Sequence, residues 1–439
     1  MFSFGKDDQE KAEQDFERAE ELFDALQYKK AGKYFTKAAE RFIEMKDHKF
    51  ATESYLQAAN SYIHDDRHED VIESLKNAAN TSLEQTKFSE AQNYYSKALE
   101  YNENIQNSAD RSRNFVHFSV MNFICHFIKG NKEEGLKVIK KIQKKVDTEY
   151  FKEHLLVHLV TNLTLAVREK KKAYLERIKK DLSKYTTTSN EKILILHAIM
   201  LADLQASLTP ELKFDQEQYT TKELIALYIK LSGEQLQNIS DKDLYPYQIE
   251  KLIIEDIKIS LSDNFAVQTK PTYPLDLRPD DGLDVEFVFK PHFQKEESYI
   301  GPLKMICKID DTFTLYIEER NENKIDLVAP PTHLDVSIKN LKTPLVGQTF
   351  PLEILIKNNS DGEASQVKVE ATFPENLRVM RGTTEKQIYS IRKNEEVRWE
   401  INVKPMEAGE YEVKVDLTFK DPDQNEIKEE NSFPVSIKL

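Results

Sequence analysis

Nine basic residues fall in two runs that could hold an anionic partner. Lys137, Lys140, Lys141, Lys144 and Lys145 lie in KVIKKIQKKV, and Arg168, Lys170, Lys171 and Lys172 follow shortly after. At 100° per residue the first five share one helical face, while Val138, Ile139, Ile142 and Val146 take the other. Such a helix can dock and still display five ammonium groups. Arg177, Lys179 and Lys180 continue the second run. Residues 111–184 hold 18 lysines and arginines against 8 aspartates and glutamates, in a chain whose formal net charge is -14. The chemistry on offer is salt-sensitive attraction for an acidic helical bundle or an anionic lipid. The competing reading is a solvated face that offsets the acidic regions. Overall acidity and the lack of any recognition motif disfavour nucleic acid.

Other candidates are weaker. Phe2 and Phe4 could enter a bilayer interface, although two rings alone bind marginally. His154 and His158 stand four apart on an expected helix, but no third metal ligand accompanies them and both are expected among core leucines. His64 and His68 flank Asp65-Asp66 in an expected inter-helix loop. DPDQNEIKEE at 421–430 lacks the glycine of a calcium loop and reads as a hairpin turn. There is no phosphate-cradling glycine motif, no H-E-x-x-H and no G-x-S-x-G. The sequence therefore predicts no catalytic residue, cofactor or metal site.

The elements that position these residues are written in a 20-residue repeat. Ala31, Ala51, Val71 and Ala91 form one column; Phe35, Tyr55, Leu75 and Tyr95 the next. Ala38, Ala58, Ala78 and Ala98 form the third, then Ala39, Ala59, Ala79 and Leu99. Small residues let helices approach closely, the large one fills the gap, and stacked hairpins bury a continuous core. Phe16, Ala19, Phe23 and Leu26 begin the pattern weakly, and a polar loop is expected at 102–113. All fifteen prolines lie from Pro210 onward, which supports an uninterrupted helical array before it. Further helices are expected near 115–127, 136–146, 150–169, 171–185, 190–207, 221–232 and 241–256, although LIIEDIKISL could end as a strand.

After Pro271, Pro274 and Pro279 the apolar period becomes 2, with DVEFVFK, LKMICKI and TFTLYIE as strands. Beyond Pro330-Pro331, LDVSIK, FPLEILIKN, QVKVEATF, EVRWEINV, GEYEVKVDLTF and FPVSIKL suggest an immunoglobulin-like β-sandwich with Trp399 in its core. The predicted fold is an α-solenoid of antiparallel helix pairs over 1–262, a linker and small β-domain over 263–330, and an Ig-like β-sandwich over 331–439. Cys125 and Cys307 cannot form a disulfide framework. No apolar run is long enough to span a membrane, and the N-terminus lacks a leader's apolar region, so a cytoplasmic protein is predicted.

The segments KAEQDFERAEELF, KAGKYFTKAAERF and FATESYLQAANSYI, each with an aromatic residue near alanines, resemble the soluble NSF attachment proteins and related tetratricopeptide-like arrays. That family carries a Phe- and Gly-rich membrane-attaching loop ahead of comparable helices, and MFSFG stands in that place here. It ends in an acidic, leucine-containing tail that stimulates its ATPase partner, whereas this chain ends in SFPVSIKL and adds β-domains. The resemblance therefore implies recruitment to a fusion complex and not ATPase stimulation. The function expected is a non-enzymatic adaptor in membrane trafficking, with peripheral membrane contact; the alternative is a general assembly scaffold, or an anionic-lipid or nucleic-acid binder, using the basic helices at 111–184.

Overall fold

The computed structural model describes residues 6–131, 134–240, 245, 247–295 and 297–439. Phe2 and Phe4 lie outside them. The helices are α1 (Lys6–Asp24), α2 (Tyr28–Glu44), α3 (His48–His64), α4 (His68–Glu84), α5 (Phe88–Asn102), α6 (Ser108–Ile128), α7 (Glu134–Lys145), α8 (Thr148–Glu153), α9 (Leu155–Glu169), α10 (Ala173–Asp181), α11 (Ser189–Ser207) and the short α12 (Glu234–Ser240).

Helices α2 to α5 begin 20 residues apart, as the columns predict. Ala31, Ala51, Val71, Ala91, Ala38, Ala58, Ala78 and Ala98 are all fully buried. Between them Leu26, Lys46, Asp66 and Thr86, also 20 apart, adopt positive φ of 52–61° and reverse the chain without glycine. The loop expected at 102–113 is shorter than that, because Asn107 caps α6 by accepting from Ala109 and Asp110 amides.

The helical series ends earlier than its periodicity suggests. Residues 221–232 are not a helix but hold β3, and the described residues at 247–256 run into β4. The spacing of Leu224, Ile225, Tyr228 and Leu231 fits a helix, but Ile225, Leu227, Ile229 and Leu231 alternate as well. Pairing with a strand of period 2 decides between them, and these four are buried. The strands are β1 (Glu211–Phe214), β2 (Gln218–Thr220), β3 (Ile225–Ser232), β4 (Leu252–Leu261), β5 (Phe265–Thr269), β6 (Leu275–Leu277), β7 (Gly282–Pro291), β8 (Tyr299–Ile309), β9 (Phe313–Glu319), β10 (Asn323–Lys324) and β11 (Asp326–Val328). One antiparallel sheet has the order β1-β3-β7-β5. The other has β10-β8-β4-β6 with β9 also on β8, and β11 pairs parallel with β2. The proline-punctuated stretch expected as a linker thus supplies β5 and β6 to these sheets.

This middle unit is joined to the helices. Most of its buried side chains join those of the helical array in one apolar cluster from Ala19 to Leu327, while Ala12, Ala38, Phe42 and Ala51 form a small cluster of their own among the first helices. At the join, the Phe313 ring of β9 lies 5.8 Å from Phe88 of α5, 4.9 Å from His197 of α11 and 5.1 Å from Tyr247. Gly130, after α6, has φ +89°, and a Cβ there would meet the Tyr316 ring at 2.6 Å.

The last unit comprises β12 (Leu334–Asn340), β13 (Phe350–Asn358), β14 (Ala364–Thr372), β15 (Leu377–Arg381), β16 (Glu385–Ile391), β17 (Glu396–Pro405), β18 (Gly409–Lys420) and β19 (Glu426–Ile437). Two four-stranded antiparallel sheets, β12-β13-β17-β15 and β16-β14-β18-β19, enclose a core of their own that includes Trp399 and Ile401. The segment at 421–425 is the turn between β18 and β19, with Gln424 at φ 68°. The architecture is a helix series followed by antiparallel β-sheets, as expected, and no helix among the described residues is long and apolar enough to cross a membrane.

Candidate functional site

The first basic run occupies α7, where Ile142 is fully buried and Lys137, Lys140, Lys141, Lys144 and Lys145 are exposed. Burying one apolar stripe while the lysines point outward is what the sequence pattern dictates. Lys145 pairs with Glu103 at 2.9 Å and Lys137 with Glu134 at 2.7 Å. The Lys141 and Lys145 ammonium groups stand 5.7 and 5.9 Å from the centre of the Phe115 ring. Lys140 and Lys144 have no ion pair among the described residues. Beside this row a shallow depression of about 440 Å³ runs between α5, α6 and α7, lined by Glu100, Glu103, Phe115, Asn122, Val138 and Lys141.

The second run is placed elsewhere. Arg168 lies in the last turn of α9, Lys170 caps that helix in the left-handed conformation, and Lys171 and Lys172 lead into α10. These cations are largely committed within the molecule. Lys170 reaches Glu319 of β9 at 3.7 Å, and the Arg320 guanidinium donates to the Arg168 carbonyl. Arg168 and Lys171 each approach Glu169 at 3.3 Å. Lys172 and Lys179 flank the buried Asp203 carboxylate at 3.6 and 3.7 Å, and Tyr245 donates to it. An interior carboxylate requires such partners. Lys141 and Lys145 of the first run sit over Phe115, near the start of α6. The second run lies near β9, which packs beyond the end of that helix at Gly130.

The structure also assembles a groove that local sequence patterns do not announce. It has a volume of about 950 Å³ and is lined from α4, α6, α8, α9, the 184–188 loop and the start of α11. At its floor Glu191 is fully buried; its Oε1 is 2.8 Å from His117 Nε2 and accepts from the Tyr95 hydroxyl at 3.1 Å. Its Oε2 accepts the Thr188 amide, and Thr188 Oγ1 accepts the Glu191 amide, a reciprocal capping box. Burial pushes the Glu191 carboxyl up, but His117, the Thr188 amide and Tyr95 together hold it below its ordinary value. Burial, then the Glu191 charge, push the Tyr95 phenol well up. The network ties α5, α6 and α11 together. The T-x-x-E spacing of Thr188 and Glu191 was readable; partners 74 and 96 positions away were not.

The histidine pairs have local roles. His154 caps α9 by accepting the Leu156 amide at 3.2 Å, and burial, then the His117 and His158 charges, lower its pKa. His158 is exposed, contrary to its expected place among core leucines. His64 stacks on Tyr28 and His68 on Tyr101. Both cysteines are buried free thiols, with Cys125 pushed up to about 12 by burial.

The molecule is a helical-repeat array continued by antiparallel β-sheets, and its first part matches a known family. Residues 1–118 match the family model described as soluble NSF attachment protein, SNAP. The match ends within α6, before α7 and the second basic run. It supports a trafficking-related adaptor role in general terms. No curated protein matches the sequence. Among solved structures, the chain is similar to the CARDB domain of a Pyrococcus furiosus protein in complex with di-metal ions. The identity is 20%, over 24% of this chain and 89% of that one, with a TM-score of 0.19. It is also similar to red sea bream transglutaminase, at 11% identity over 58% of this chain and 34% of that one, with a TM-score of 0.21. Overlap that low carries neither fold nor function across.

Proposed function

We propose that this protein is a non-enzymatic adaptor of membrane trafficking that holds an acidic helical bundle, of the SNARE type, against α7. The observation that carries the reading is the exposed lysine row on a helix whose opposite side is packed into the array, with Lys140 and Lys144 in no ion pair among the described residues. A partner carboxylate gains most from ammonium groups that are not already neutralised. Arg168, Lys170, Lys171 and Lys172 would add a second, weaker contact, because internal carboxylates hold most of that charge. Phe2 and Phe4 would supply a peripheral membrane contact, and the cytoplasm is the compartment such a role requires.

The test uses a preassembled acidic four-helix coiled coil as probe, titrated against the full chain at several salt concentrations. Reversal of Lys140, Lys141 and Lys144 to Glu should weaken binding at least tenfold and flatten its salt dependence. Unchanged affinity and salt slope would remove α7 as the docking face. Vesicles rich in phosphatidylserine give the lipid comparison: flotation that survives Phe2→Ser with Phe4→Ser eliminates the aromatic contact.

A further inference from the structure

The C-terminal sandwich has four edge strands, β12, β15, β16 and β19, and they are not equally protected. Strand edges present unpaired amides and carbonyls, and proteins guard them with charge, proline, bulges or brevity. β19 carries Pro434 with Glu426, Lys428, Glu429 and Glu430. β12 carries Asp335 and Lys339. β15 spans five residues, and its register breaks between Val379 and Arg381. β16 differs: after Glu385 and Lys386, its segment Gln387–Ile391 has neither charge nor proline, and its strand neighbour is β14 alone. Tyr389, within that segment, is 92% exposed, far beyond what a packed strand residue shows.

The surroundings of this edge indicate what it would take. β15 and β16 end their respective sheets, are joined by residues 382–384, and form one side wall; Lys386 of β16 donates across to the Arg398 carbonyl of β17. On this wall Met380 is half exposed, and Arg378 and Arg381 are exposed with no ion pair among the described residues. We propose that the β15–β16 wall is a docking site for an extended acidic segment of a partner protein, which adds as a strand to the free edge of β16. Backbone hydrogen bonds would hold the segment, alternate side chains would meet Tyr389 and Met380, and carboxylates would meet Arg378 and Arg381. The protein's overall negative charge does not forbid this, since charges beyond about 8 Å are largely screened at physiological salt.

The experiment uses the full chain and two labelled peptides, one alternating glutamate with valine and the other lysine with valine. The glutamate peptide should bind at least tenfold more tightly and slow amide exchange at Gln387–Ile391. Arg378→Glu with Arg381→Glu should lose that preference, while Arg378→Lys with Arg381→Lys keeps it, which separates charge from folding. Equal binding of both peptides, or protection confined to another strand, overturns the proposal. So does self-association that protects the same amides without peptide. Lysine reversals on α7 should leave this binding unchanged, so the two surfaces stand or fall separately.

Discussion

The helical array with its middle sheets and the C-terminal sandwich bury their apolar groups in different ways. In the first, one cluster runs from α1 through β11, so helices and sheets share a core across the change of secondary structure. In the second, a separate cluster begins at Leu334, after Pro330-Pro331. The connector after β11 is tied to the sandwich, by the Ala329 amide to Asp423 and the Gly362 amide to the Pro331 carbonyl. The change of period in the sequence is therefore not the boundary that matters for folding. Shared apolar burial is, and it falls near residue 330.

Cutting the chain at the two places tests this with the largest effect. Residues 1–262 lose β5 to β11, which strands β3 without β7 and β4 without β8, and should be aggregated or unfolded by circular dichroism. Residues 1–328 should unfold in one cooperative transition. A well-folded 1–262 fragment would show instead that the helices do not need the middle sheets. Next is Phe313→Ala at the join, which should cost about 4 kcal/mol of the shared unit's stability in denaturant titration and leave the sandwich transition unmoved. Glu191→Ala should cost about 3 kcal/mol by the same measurement, because it removes the acceptor shared by His117, Tyr95 and the α11 cap.

Acid should act on the join before the sandwich. Burial lowers His197 from 6.5 to about 4. As pH falls through that interval the unfolded chain takes up the proton first, so the folded state loses stability, approaching about 3 kcal/mol near pH 4. His197→Phe should flatten this part of the profile. His333 at the sandwich base has the opposite sign: its hydrogen bond to Glu429 raises its pKa, so its contribution is present below about pH 6.5 and fades as pH rises through the raised value. Smallest of all, Lys140→Ala with Lys144→Ala should change stability by no more than about 0.5 kcal/mol while weakening partner binding.

Much of the helical half was legible because its signal is repeated and made of small residues that few other contexts explain. The turns between those helices were not, since Leu26, Lys46, Asp66 and Thr86 hold positive φ without glycine. β3 was misread because two periods fit the same apolar residues, and the partner strand that settles it lies 50 or more positions away. β15 and β16 went unread for a different reason. Their exposed Arg378, Arg381, Gln387 and Tyr389 leave little apolar alternation, and that lack of cover is what makes the wall a docking candidate. The α7 face was readable from lysine spacing alone; that the second run is spent on Asp203, Glu169 and Glu319 required the tertiary structure.

On the proposed function, α7 of the joined unit takes an acidic helical partner independently of the sandwich. The most direct measurement is the affinity of the full chain for the acidic four-helix coiled coil, compared with the α7 triple reversal and with Arg378→Glu, Arg381→Glu. Only the α7 variant should weaken, at least tenfold, with the salt dependence flattened. Equal weakening by both variants, or by neither, would remove α7 as a separate docking face.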